Sequence, residues 1–177
     1  MMDDTDDDDR FYNEHAALLG HVTLAWNDCQ SMVMQIFHTL SGTSWGQSTS
    51  VFLALKSDQS QRDITVALLL TVLNRADDDR MRQLGTSLVG QLGSLAGERN
   101  AATHTMWITV MPSRNVQPHP AIPKQKALKP DFKSQFENLT QNLRNLFRKL
   151  LDYEAGLRVH LEQTRKNGEN SGSQHLS

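Results

Sequence analysis

The sequence predicts an all-α protein: an up-and-down helical bundle with a short extended, proline-rich insert before the last long helix. Three observations predict it. Apolar residues recur at steps of three and four over most of the chain, the period of one helix face. Glycine, serine and aspartate signals that end or start helices separate those stretches. The five prolines, at 112, 118, 120, 123 and 130, all fall in one interval, which no regular helix can cross.

The first helix is expected from about Glu14 to Ser41, with Leu19, Val22, Trp26, Cys29, Val33, Ile36 and Leu40 on one stripe and Gly42 as its left-handed stop. Cys29 lies on that stripe and reads as a small core residue. His15, His21 and His38 match no tight metal pair and read as surface or satisfied histidines. Thr43 to Ser50 reads as a polar connection and Val51 to Leu55 as one helical turn. Ser60 with Asp63 resembles a helix start, and Ile64 to Asn74 is apolar nearly all round, the pattern of the most buried element. Asp77, Asp78 and Asp79 suit the positive end of the next helix, a plainer account than a metal site.

That next helix, from about Arg80, carries Met81, Leu84, Leu88, Leu92 and Leu95 on one face and four glycines, at 85, 90, 93 and 97. Each glycine weakens a helix by roughly 1 kcal/mol relative to alanine. Gly93, Gly97 and Ala101 form a seam that admits a close neighbour from the same chain or a second copy; the other reading is a kink near Gly97. The β-branched and aromatic run Trp107 to Met111 predicts an extended arm with a short two-stranded excursion. From Pro130 the spacing of Phe132, Phe136, Leu139, Leu143, Leu146, Leu150, Tyr153 and Leu157 predicts a long helix. Alone it suits a coiled-coil adaptor; beside a bundle it is expected to pack back on the other helices.

The length of 177 residues suits one domain, expected over residues 11–165, with disordered polar tails over 1–10 and 166–177. The net charge of −2 conceals an asymmetry. Six of the 20 acidic residues are aspartates within the first nine positions, leaving 14 acidic against 18 basic residues in the body. That surplus permits nucleic-acid binding without arguing for it. A single cysteine excludes an intrachain disulfide and any multi-cysteine zinc site. The aspartates stand where a secretory leader needs a positive flank, and no apolar run reaches the ~18 residues of a membrane span, so a cytoplasmic, soluble protein is expected. No cofactor or metal is expected. The chain has no glycine-rich phosphate loop, zinc spacing or nucleophile elbow.

Chemistry concentrates in one stretch, Glu98 to Trp107, where Arg99, Asn100 and His104 stand close together. On a regular helix Arg99 and His104 lie about 140° apart, whereas Asn100, His104 and Trp107 share a face. Either Arg99 reaches around, or the helix breaks, or the two serve different neighbours. A histidine exchanges protons near neutral pH and an arginine clamps phosphate oxygens. The pattern Arg99-Asn100-x-x-x-His104-x-x-Trp107, after a long first helix bearing Trp26 and before an extended insert and last helix, resembles the HEPN superfamily, over roughly residues 14 to 160. Thr105 stands where related proteins often carry glycine.

The resemblance implies metal-independent endoribonuclease activity at a composite site of a homodimer, with Arg99 on the phosphate, His104 moving protons and Asn100 orienting either. It also implies kinship with toxin–antitoxin or phage-defence systems, hence RNA and an antitoxin or regulatory protein as partners. The alternative is a non-catalytic HEPN-like module for RNA binding or protein interaction, with Arg99, Asn100 and His104 in structural roles.

Overall fold

A computed structural model describes residues 10–172 except 112, 114, 124 and 125, with side chains described as far as 167. Of the tails expected to be disordered, residues 1–9 and 173–177 lie outside the described residues, whereas residues 10 and 166–172 are helical. Among those residues the chain forms helices α1 (Arg10–Ser41), α2 (Trp45–Ala54), α3 (Asp58–Val72), α4 (Asp79–His104) and α5 (Phe132–Gly172). A 3-10 turn, Ala76–Asp78, precedes α4, and strands β1 (Trp107–Val110) and β2 (Asn115–Pro118) lie between α4 and α5. The all-α bundle read from the sequence is the fold observed. None of the helices is long and apolar enough to cross a membrane.

The chain divides into two compact units. The first holds the described residues through Cys29 together with Ser94–Asn145; the second holds Gln30–Gly93 and the described residues from Leu146 onward. α1, α4 and α5 each contribute to both.

In the first unit the core is built from the α1 stripe (Val22, Ala25, Trp26, Cys29), the end of α4 (Ala101, Ala102) and the first part of α5 (Phe136, Leu139, Leu143), all buried. The Cys29 thiol donates to the Leu143 carbonyl at 3.3 Å, which fixes it as a core residue. β1 and β2 pair antiparallel with Trp107 opposite Pro118 and Val110 opposite Asn115, the short excursion expected. The His119 amide extends the ladder by donating to the Met106 carbonyl at 2.8 Å. Buried Gln135 then ties the rest of the insert to α5. Its amide nitrogen donates to the Ala127 carbonyl at 2.7 Å and its oxygen accepts from the Lys129 amide at 2.9 Å.

In the second unit Met32, Val33, Ile36, Phe37 and Leu40 of α1 are buried with Phe52 of α2, Leu69 of α3, Leu88, Val89 and Leu92 of α4, and Leu146, Leu150, Tyr153 and Leu157 of α5. α1 ends at Gly42, whose φ of +63° is the left-handed conformation the sequence required. Two expectations fail here. Of the stretch Thr43–Ser50, Trp45 onward is the start of helix α2, because Ser44 and Gln47 form a capping box that outweighs the glycine and serine content. α3 starts at Asp58, capped by Ser57, and is far from the most buried element. It buries Arg62, Thr65 and Leu69, while Leu70 is exposed. Its apolar run is short, so only the three–four spaced positions reach the core.

α4 is continuous past Gly97, so the helix is not interrupted there. A side chain added at Gly97 would make an ordinary contact with Ala127 of the insert at 3.7 Å, so no close approach requires glycine at that point. Gly85 is the glycine that packing demands, since a Cβ there would meet the Tyr153 ring and hydroxyl at 2.6 and 2.3 Å. The α5 stripe is buried in both units, Phe136, Leu139 and Leu143 in one and Leu146, Leu150, Tyr153 and Leu157 in the other. It leaves no free coiled-coil seam.

Candidate functional site

The end of α4 is set by side chains that take up its last carbonyls. Thr103 donates to the Arg99 carbonyl at 3.0 Å, Thr105 to the Ala101 carbonyl at 2.5 Å, and the Trp107 indole to the Ala102 carbonyl at 3.1 Å. Of these, the Ala101 and Ala102 carbonyls are among the last four of α4, the ones that look for donors outside the helix, whereas the Arg99 carbonyl lies inside it. The β-branched run Ile108-Thr109-Val110 then continues as β1. Trp107 is therefore a strand residue that closes the helix, and it does not share a helical face with Asn100 and His104.

Arg99, Asn100 and His104 all lie on the last two turns of α4. Arg99 is half-buried, with its guanidinium carbon 5.2 Å from the ring centroid of Trp26, a cation–π contact. Its Nη1 donates to Asn100 Oδ1 at 3.1 Å. Asn100 and His104 are both exposed and four residues apart, on one face. The helix is unbroken between Arg99 and His104, so of the three options the break is removed. Asn100 is the link: it is bonded to Arg99 on one side and stands one turn from His104 on the other. Trp26 and Arg99, 73 positions apart in the chain, meet; no residue spacing could have given that contact.

The more informative histidine is His15. Expected at the surface or satisfied, it is only 5% exposed, and among the described residues neither ring nitrogen has a hydrogen-bond partner. It stands among aromatic rings instead, with centroids 4.3 Å from Trp107 and 5.6 Å from Phe132, while Trp107 also packs against Phe132 and Phe136. Burial, and then the Lys133 charge, push its pKa below the usual histidine range. The signal was present: His15 lies four residues before Leu19 and so continues the α1 stripe toward the N-terminus. Beside it is a cavity of about 300 Å³ lined by Tyr12, His15, Leu19, Trp107, Thr109 and Val116 among others.

The other two histidines of α1 behave as expected. His21 is exposed, and His38 Nδ1 lies 3.0 Å from the Ser48 hydroxyl. In the second unit Asp78 is a structural carboxylate. It accepts from the Arg75 amide at 3.0 Å and lies 2.6 Å from His160 Nε2. Burial raises its pKa, but the His160 and Arg75 bonds outweigh that and hold it below the usual carboxylate value. Among the described residues no group of three or more histidine, cysteine, aspartate or glutamate side chains is placed to hold a metal ion. Comparison with protein-family models, with curated proteins and with solved structures finds no match to this chain.

Proposed function

We propose that the chain is a metal-independent endoribonuclease of HEPN type that acts through Arg99, Asn100 and His104. The observation that carries the reading is the grouping at the end of α4. The Arg99 Nη1–Asn100 Oδ1 bond at 3.1 Å aligns one cation with an exposed amide, and exposed His104 stands one turn further on the same face as that amide. Arg99 takes the phosphate oxygens, Asn100 holds Arg99 in place, and His104 moves the proton.

The chemistry balances within the RNA itself. The 2′-hydroxyl oxygen attacks the adjacent phosphorus and gives its proton to a neutral histidine. The bond to the 5′-oxygen breaks, and that oxygen takes a proton from a protonated histidine. The products are a 2′,3′-cyclic phosphate and a 5′-hydroxyl. Two histidines in opposite protonation states serve this best, which a second copy of the chain supplies. The test is cleavage of a single-stranded RNA in excess chelator, beside the same RNA with 2′-O-methyl groups. Cyclic-phosphate ends from the first and no cleavage of the second are expected; equal cleavage of both removes the reading.

The second reading is a non-catalytic module for RNA binding or protein interaction. It is favoured by the contact of half-buried Arg99 with Trp26, which gives the guanidinium a packing role. An RNA that binds and stays intact is its signature.

A further inference from the structure

We infer that the cavity beside His15 is a pocket for a single unpaired nucleobase, with the His15 imidazole reading the edge of the base. The inference deepens the RNA reading above and rests on it for choosing a base over other flat heterocycles.

Four observations carry it. The cavity, at about 300 Å³, lies at the lower end of the range for small-molecule sites, ~300–1,000 Å³, and so suits one planar ring system. Its walls are aromatic and β-branched: Tyr12, which is 60% exposed, together with Trp107 and Val116. Such rings are the surfaces on which single-stranded bases stack. The polar group in the wall, His15, is buried without a hydrogen-bond partner among the described residues. Finally, Trp107 is shared: it lines the cavity and begins three residues after His104, so the pocket adjoins the end of α4 that carries the proposed cleavage residues.

The imidazole chooses the ligand class. Burial and the Lys133 charge keep it neutral near pH 7, so it offers one donor and one acceptor and has no net attraction for a carboxylate or phosphate. A nucleobase edge carries both donors and acceptors, so it complements whichever imidazole nitrogen faces it, as donor or as acceptor. Both ring nitrogens are closed to water, so the proposal requires the imidazole to turn about its broad terminal torsion for one of them to meet a base entering from the cavity. A purely apolar ligand leaves both nitrogens without partners, whereas a base gives one of them a partner. Charged groups stand nearby for the rest of a nucleotide. Lys133 lies 3.9 Å from Glu14 and 6.0 Å from the Phe11 ring centroid, and Arg10 pairs with Glu14 at 3.0 Å. A phosphate competes with Glu14 for these two cations.

Saturation-transfer NMR on the full chain with adenosine, guanosine, cytidine and uridine, and with indole as a flat ligand lacking a base edge, tests the pocket. Saturable binding of at least one nucleoside is expected, with affinity at least tenfold weaker in Thr109→Trp, which plugs the cavity from an exposed position, and in His15→Phe, which keeps the ring and removes its edge. No nucleoside binding, indole binding alone, or nucleoside binding unchanged in folded Thr109→Trp overturns the inference. The two readings fail separately. RNA cleavage without nucleoside binding sinks the pocket and leaves the nuclease. Nucleoside binding without cleavage leaves the pocket and sinks the nuclease.

Discussion

His160 and His15 are histidines in the two units of one small protein, and their surroundings differ in kind. His160 in the second unit sits against a buried carboxylate, Asp78, at 2.6 Å, and the Arg75 amide completes the set. His15 in the first unit is more deeply buried, yet has rings for neighbours and no hydrogen-bond partner among the described residues. A buried polar group with partners strengthens a fold, and one without them weakens it. The second unit therefore uses its histidine as a tie. The first unit carries its histidine at a cost, and beside it lies a cavity.

The largest effect is expected from Trp107→Ala, which strips the wall of the His15 pocket and the indole that caps α4. Because Trp107 is half-buried, a loss of about 3 kcal/mol in urea unfolding, the lower end for truncating a core ring, is expected. A loss below about 1 kcal/mol means that the aromatic cluster is not what holds the end of α4. Next comes Asp78→Ala, expected to cost about 2–3 kcal/mol because it removes a charged acceptor from both His160 and the Arg75 amide. His160→Phe removes only one of those two bonds, and about 1 kcal/mol is expected.

The smallest effect at neutral pH, and the one that separates the two histidines most sharply, is expected from His15→Phe. With no bond to lose, it changes stability at pH 7.5 by less than about 0.5 kcal/mol or increases it. The difference grows on acidification. The folded pKa of His15 lies below the unfolded value of about 6.5, so the unfolded chain binds protons first. Wild-type stability is held above that pH and lost as pH falls through the lower folded value. His15→Phe lacks that loss, so thermal melts of the two proteins diverge below about pH 6.5. Parallel melting curves from pH 7.5 to 5 contradict the assignment of His15 as buried and neutral. Asp78 titrates in the same sense in a lower window, its contribution fading only as pH falls below about 3.8.

What was legible in the sequence follows the range of the forces. The stripes on α1 and α5 were legible because one helix face repeats regularly, and every predicted α5 stripe residue from Phe136 to Leu157 is buried. The β1–β2 excursion was legible from β-branched residues running into prolines. α2 was missed although Ser44 and Gln47 carry its capping signal, because the glycine and serines around them suggest a loop. The burial of α3 was misjudged because an apolar run does not say which side meets a partner.

Arg99, Asn100 and His104 were legible as residues of one helix end, while the contact of Arg99 with Trp26 depends on two helices meeting. His15 fell on the α1 stripe, but a histidine there reads as satisfied until its neighbours are seen to be carbon.

The central claim is that His104 moves a proton during RNA cleavage. The direct measurement is the single-turnover rate constant for RNA cleavage by the full chain and by His104→Ala, in chelator at pH 7. A rate reduced about 10²–10⁴-fold in the variant is expected, the range for loss of a general acid or base. Equal rates from the two proteins, or no cleavage by either, would contradict it.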